Sequence, residues 1–180
     1  MFSFTATSGA GAFKPITAAL ALTAAAALSP AAQAQSPEVM LINLKTNKCA
    51  TIAGGRSSEN NVDSVQYDCD TDPSRRWWLD RKGANVFQIR NVQTGKCLTI
   101  AGGESTANSL NALQFDCDSH PSRSWRISDV SGNGLHQIRN MQTQKCLTIS
   151  GGTSAANNLQ TVQYDCDADP SRRWVIRLKL

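Results

Sequence analysis

Apolar and polar residues alternate in short runs along this chain. In Phe87–Val92, Phe87, Ile89 and Asn91 fall on one side of a two-residue period and Gln88 and Arg90 on the other. That period predicts a strand, not a helix. Three further extended segments follow: Lys96–Ala101, Asn111–Cys117 and Arg123–Ile127. Gln93-Thr94-Gly95 turns the chain after the first, and Gly102-Gly103 ends the second. Glycine tolerates the positive φ that such a sharp exit requires. The polar stretch Gly102–Asn108 reads as a surface loop, and Pro121 interrupts the path between the third and fourth segments. No convincing helix is predicted.

The same four-segment unit occurs three times. Val39–Leu79, Phe87–Ile127 and His136–Ile176 align without a gap, at offsets of 48 and 49 residues. One residue type stands in all three copies at 18 of 41 columns, within the frame N-x-x-T-x-K-C-x-T-I-x-G-G-x-S-x-x-N…Q-[YF]-D-C-D-x-x-P-S-R-x-W. An internal period of this length signals repeat architecture, so a site made once is expected three times. Twelve short strands in three groups cannot each bury a face alone. Six strands closed into a barrel, capped by three hairpins, can do so and leave few exposed edges. The expected fold is therefore an all-β β-trefoil. Trp77, Trp125 and Trp174 are expected in its core, with Ile52, Ile100, Ile149, Leu79, Ile127 and Ile176.

Composition and the N-terminal segment narrow the setting. Lys14 is the one charge in residues 1–34. It precedes the apolar, Ala-rich run Ile16–Leu28 and the small-residue step Ala32-Gln33-Ala34. This is the pattern of a secretory signal peptide cleaved near Ala34. The apolar run is shorter than the roughly 20 residues a membrane span needs. The expected organisation is a signal peptide at 1–34 and one domain at 35–180, with repeats at about 39–86, 87–135 and 136–180. The expected location is secreted, extracellular or periplasmic, without membrane insertion. The 18 Lys and Arg against 14 Asp and Glu leave +3 beyond residue 34. They form no basic run or stripe, which argues against nucleic acid as a partner.

Six cysteines in an exported chain point to disulfides. The repeat selects one pairing by symmetry: Cys49–Cys69, Cys97–Cys117 and Cys146–Cys166. Metal binding is disfavoured, because there is no C-x-x-C and neither His120 nor His136 recurs between copies. No cofactor is expected. Catalysis is poorly supported as well. Glu is confined to Glu38, Glu59 and Glu104, no G-x-S-x-G occurs, and no Cys is left free once the six are paired. The Asp residues flanking each second Cys point to opposite faces of a strand, a poor arrangement for the close carboxylate pair of a retaining glycosidase.

K-C-L-T-I, V-Q-Y-D-C-D and S-R-R-W, at these separations, resemble the ricin B-chain type lectin repeat. That family is marked by K-C-L-D-[VI], Q-[LIV]-[WY]-x-C and Q-x-W. The resemblance runs from Val39 to the C-terminus. It implies a β-trefoil whose three lobes can each carry a shallow carbohydrate site, with no catalytic activity. It places the sugar-binding Asp at Thr51, Thr99 and Thr148, and the stacking aromatic at Tyr67, Phe115 and Tyr164. The polar pair falls at Ser74-Arg75, Ser122-Arg123 and Ser171-Arg172. Thr offers one hydroxyl in place of a carboxylate, so binding of galactose-like ligands is expected to be weakened or redirected. Gln66, Gln114 and Gln163 stand three residues before the second Cys, where the family has four. The aromatic rings are thus left with two readings, core packing or a stacking surface.

Asp70, Asp118 and Asp167 follow each second Cys and are the better candidates for a replacement carboxylate. Their other reading is structural: an Asp–Arg pair with Arg75, Arg123 or Arg172 that pins the Pro-Ser-Arg loop. The repeated Thr is equally open to strand propensity or a lining role. Asn60, Asn108 and Asn157 read as turn formers. Trp78 has no counterpart in the other copies, so a shared pocket cannot depend on it. The expected function is a non-enzymatic glycan-binding module with up to three weak equivalent sites for a polysaccharide or cell-surface glycan. The alternative is a secreted protein-interaction trefoil, a toxin accessory subunit or an enzyme inhibitor, that uses the scaffold without sugar.

Overall fold

Among the described residues twelve strands form at or close to the predicted segments, although in the second copy the third stops at Phe115 and Arg123 falls in a turn. The computed structural model describes residues 1–5, 9, 11 and 36–178. The chain divides into a unit Met1–Gln33 and a unit Ala34–Leu180. The expected signal sequence, with its apolar run and cleavage step, lies outside the described residues. In the first copy the strands are β1 (Glu38–Asn43), β2 (Cys49–Ile52), β3 (Ser64–Tyr67) and β4 (Trp77–Gly83). In the second they are β5 (Val86–Asn91), β6 (Cys97–Ile100), β7 (Ala112–Phe115) and β8 (Ser124–Asp129). In the third they are β9 (Leu135–Asn140), β10 (Cys146–Ile149), β11 (Thr161–Tyr164) and β12 (Trp174–Leu178).

Six of these strands close on themselves. β1 pairs with β12 and β4, β4 with β5, β5 with β8, β8 with β9, and β9 with β12, all antiparallel. The remaining six make the hairpins β2–β3, β6–β7 and β10–β11. Isolated bridges Asp63↔Leu113, Val65↔Gln160 and Asn111↔Val162 link these hairpins to one another around the threefold axis. This is the β-trefoil: a closed barrel whose strands keep no free edge, capped by three hairpins.

The core lies on that axis. Trp77, Trp125 and Trp174 are fully buried, with Leu41, Ile89, Ile138, Ile52, Ile100 and Ile149 beside them. Burying an indole requires a partner for its N–H. Here Trp77, Trp125 and Trp174 Nε1 donate to the carbonyls of Ala50, Leu98 and Leu147 at 3.0, 2.8 and 2.9 Å. Each bond fastens a barrel strand to the hairpin of its own copy. Ile127 is buried as expected, whereas Leu79 and Ile176 pack against the core from partly buried positions.

Disulfides join Cys49–Cys69, Cys97–Cys117 and Cys146–Cys166, each across 20 residues with Cα atoms 5.1 Å apart. Chain-entropy reasoning assigns loops of this size about 3 kcal/mol each. Three bridges suit an oxidising compartment. Among the described residues no helix is long and apolar enough to cross a membrane.

The prolines do more than interrupt the chain. Pro73–Arg75, Pro121–Arg123 and Pro170–Arg172 are 3₁₀ turns, each with proline at its start. Proline presets the helical φ and its missing N–H costs nothing there. No helix was expected here, because a single turn is too short to leave an apolar period in the sequence.

Candidate functional site

Each 3₁₀ turn is built around a buried serine. Thr51 Oγ1 donates to the Ser74 carbonyl at 2.9 Å and lies 3.1 Å from Ser74 Oγ. Thr99 meets Ser122 in the same way at 3.1 and 3.0 Å, and Thr148 meets Ser171 at 2.9 and 3.0 Å. The same serine carbonyls accept from the next copy's first strand: Asn91 Nδ2 to Ser74 at 2.8 Å, Asn140 to Ser122 at 2.8 Å and Asn43 to Ser171 at 2.7 Å. The repeated Thr is therefore a buried pin, and the repeated Asn of the frame ties one copy to its neighbour.

The arginine of each turn folds back over the aromatic ring. The guanidinium carbons of Arg75, Arg123 and Arg172 sit 4.6, 4.4 and 4.5 Å from the ring centroids of Tyr67, Phe115 and Tyr164. This is cation–π range. Phe115 makes the same stack without a hydroxyl, so the ring face is the shared element. The rings are not in the core: Tyr67 and Phe115 are half-buried and Tyr164 is 36% exposed. Arg75 and Arg123 Nε stand 3.2 Å from Asp70 and Asp118 Oδ1, and Arg172 Nη1 stands 3.2 Å from Asp167 Oδ1. Those aspartates also accept from the backbone N–H two residues on, at 2.9 Å in every copy. They pin the loop and do not line the cleft.

Three clefts related by the pseudo-threefold axis open beside these rings, of about 330, 260 and 360 Å³ in the first, second and third copies. Each takes in the repeated Thr, the Ile after it, the Gly pair, the aromatic and the Arg. Each is completed by one residue from the preceding copy: Asn158 in the first, Asn61 in the second and Ser109 in the third. All three hold a left-handed backbone, at φ of 65–66°, which Asn accepts more readily than Ser. The second glycine of the pair faces the serine of the turn. A Cβ at Gly55 would lie 3.1 Å from Ser74 Oγ, on a backbone with φ +70°.

One lining position escapes the sequence reading. Asp72, His120 and Asp169 precede the proline and line their clefts. They cap the turn, accepting from the N–H of Ser74, Ser122 and Ser171 at 2.8, 3.2 and 2.8 Å. The Ser74 hydroxyl, then its N–H, hold the Asp72 carboxyl below its usual range, and Ser171 does the same for Asp169. A carboxylate has about four lone-pair sites, so Asp72 and Asp169 keep acceptor capacity for a ligand. The available signal was the cap itself: Asp before Pro-Ser initiates such a turn. His120 breaks the identity and hid the column. Arg56 adds a cation to the first cleft and Lys45 one to the third.

Asn60, Asn108 and Asn157 are also more than turn formers. Their Nδ2 groups reach across copies to Asp116, Asp165 and Asp68, each at 2.8 Å. Trp78 lies outside the clefts, under Arg90 at 4.3 Å. Among the described residues no cluster of three or more His, Cys, Asp or Glu side chains suits a metal ion.

Comparison with known proteins bears on this geometry. The family described as ricin-type beta-trefoil lectin domain-like matches residues 28–115, 81–163 and 121–179. No curated protein sequence matches. The fold is similar to that of the designed threefold-symmetric protein ThreeFoil, with a TM-score of 0.74 and 19% identity, over 79% of this chain and 99% of that one. It is also similar to 1,3Gal43A, an exo-beta-1,3-galactanase from Clostridium thermocellum (TM-score 0.74, 21% identity, 79% of this chain and 30% of that one). A third similar structure is a ricin B-like lectin from Macrolepiota procera in complex with lactose (TM-score 0.66, 17% identity, 82% of this chain and 100% of that one).

Proposed function

This chain belongs to the ricin-type β-trefoil lectin domain-like family, and from that premise we propose that it is a secreted, non-enzymatic carbohydrate-binding module with a weak glycan site in each of its three clefts. The observation that carries the reading is the recurrence, three times over, of a surface aromatic ring stacked by arginine at the mouth of a cleft. In this reading the exposed side of Tyr67, Phe115 or Tyr164 receives the apolar face of a sugar ring. In the first and third clefts Asp72 and Asp169 accept from its hydroxyls, doing the work of the family carboxylate that Thr51 and Thr148 replace. The arginine holds the platform flat. Ser74, Ser122 and Ser171 are buried and act through the loop they anchor. Asp70, Asp118 and Asp167 act by holding the arginine.

Carbohydrate is named in similar structures, a lactose complex and a galactanase, and this supports the ligand class. Three weak sites on one rigid barrel favour a repetitive ligand, a polysaccharide or a dense cell-surface glycan, because joined sites raise the effective concentration. Export follows from the signal-peptide pattern at 1–34, with residues 35–180 as the working domain, and is supported by the three disulfides. The experiment is a glycan array with an insoluble-polysaccharide pull-down. Retention on at least one glycan, lost when the rings are removed, supports the reading; no retention by the folded protein across broad panels overturns it.

One observation favours the alternative, a trefoil for a protein partner. Each ring already carries a guanidinium on one face, leaving less of it for a sugar. A bound partner that simple sugars never displace, but that substitutions in one cleft release, would decide for it.

A further inference from the structure

The three clefts differ at one lining position, where Asp72 and Asp169 are answered by His120. The turn favours one tautomer of His120. Ser122 N–H points at His120 Nδ1 from 3.2 Å, and Ser122 Oγ lies 2.8 Å from the same nitrogen. Ser122 Oγ accepts from Arg123 Nη1 at 3.0 Å and stands 3.0 Å from the Thr99 hydroxyl, so its own proton can go to Nδ1 or to Thr99 Oγ1. A ring nitrogen that accepts from the backbone N–H carries no proton. The ring proton then sits on Nε2. The ring edge lies by the second glycine of the pair, where a Cβ at Gly103 would stand 3.6 Å from its Cε1.

Resting on the glycan reading above, we propose that the second cleft recognises a different sugar group from the other two: His120 Nε2–H donates to an acceptor oxygen of the ligand, where Asp72 and Asp169 accept from a hydroxyl. A carboxylate rejects a group that can only accept, because both partners then lack a proton. The imidazole N–H receives it. The second cleft is therefore the place for a sugar bearing an acetamido carbonyl or a carboxylate, and the first and third require hydroxyls. The two ligand classes share one chemistry, an acceptor-only oxygen. The cations are distributed differently: Arg56 and Lys45 line the clefts that hold Asp72 and Asp169, where they offset the carboxylate, and neither position has a basic counterpart lining the second cleft.

The test is NMR on the isotopically labelled protein. Long-range 1H–15N spectra of the imidazole should show the proton on Nε2 and a bare Nδ1. Methyl β-galactoside, N-acetylgalactosamine and galacturonic acid are then titrated separately, with Tyr67, Phe115 and Tyr164 reporting on the three clefts. One or both acceptor-bearing sugars should perturb Phe115 at about tenfold lower concentration than Tyr67 and Tyr164, and methyl β-galactoside should not show that preference. Response to N-acetylgalactosamine alone identifies the amide carbonyl, and to galacturonic acid alone the carboxylate. His120→Asp should abolish the preference, and Asp72→His should confer it on the first cleft. Equal responses of the three clefts to every sugar, or a proton on Nδ1, would overturn this inference and leave the glycan reading standing. No response of any cleft to any sugar, with no retention on the array, would overturn both.

Discussion

Asn157 of the third copy donates from Nδ2 to the Asp68 carboxylate of the first at 2.8 Å, across 89 residues of sequence. Lys48 of the first copy pairs with the same carboxylate. Asn60 with Lys96 on Asp116, and Asn108 with Lys145 on Asp165, repeat the arrangement around the axis. Each copy is latched to the next, and the third back to the first.

Acid should loosen this ring. Lys48 and then Asn157 hold Asp68 below its ordinary value of 3.8; Asn60 and Lys96 do so for Asp116, and Asn108 and Lys145 for Asp165. A carboxyl whose folded pKa is depressed adds stability that is present above its unfolded pKa and is lost as pH falls through the folded value. Thermal melting followed by circular dichroism should therefore show Tm falling as pH drops below about 4. The triple variant D68N/D116N/D165N should have a lower Tm at neutral pH and a shallower fall in acid. The effect is small per site because the carboxylates are exposed.

A stronger connection between copies is buried. Gln66 Nε2 donates to the carbonyls of Ser154 and Ala156 at 2.8 and 2.7 Å, Gln114 to Ser57 and Glu59 at 2.7 Å each, and Gln163 to Ser105 and Ala107 at 2.8 and 2.7 Å. Gln66→Leu leaves two carbonyls without their donor and should cost about 1–3 kcal/mol. Urea denaturation should show a lower midpoint with an unchanged slope. An unchanged midpoint would refute the bracing role.

Each disulfide closes a loop within one copy. Replacing Cys97 and Cys117 together by Ser should lower stability by about 3 kcal/mol, and the matching pairs in the other copies should behave alike. Peptide mapping of the non-reduced protein should give three bridges, none joining different copies.

The rings carry the binding hypothesis. Tyr67→Ala, Phe115→Ala and Tyr164→Ala should each remove one site, and the triple variant should lose about 10²-fold or more in avidity for a repetitive glycan. Surface plasmon resonance on immobilised polysaccharide separates these cases. Full avidity in the triple variant would exclude the rings as the contact surface.

The crowded glycine offers a control on loop shape. Gly55→Ala places a Cβ against Ser74 Oγ on a left-handed backbone. It should destabilise the first lobe by about 1 kcal/mol or more. The mirror change Gly54→Ala meets nothing within 4 Å and should cost only the backbone strain. A difference in Tm between the two variants measures the contact.

The strands, the triplication, the cysteine pairing and the closed barrel were legible in the amino-acid order. Each rests on local information: a two-residue period, a fixed offset, and a turn residue at a set place. The 3₁₀ turns were not legible, because three residues carry no period of their own. The Thr51 position was open to strand propensity or a lining role; in the structure it pins Ser74 and also lines the cleft. Asp70 stood between a replacement carboxylate and a pin on Arg75, and the structure shows the pair with Arg75.

Closure of the barrel decided the rest. It set Asn158 beside Tyr67, and Asn157 against Asp68, pairs that no spacing within one repeat could reveal. The 3₁₀ turn that they cap is what sets Asp72, His120 and Asp169 on the clefts. The sequence by itself determined that one small unit would be built three times. Which side chains meet in the clefts depended on how the third copy returns to the first, because a surface hollow between lobes is made of residues far apart in the chain.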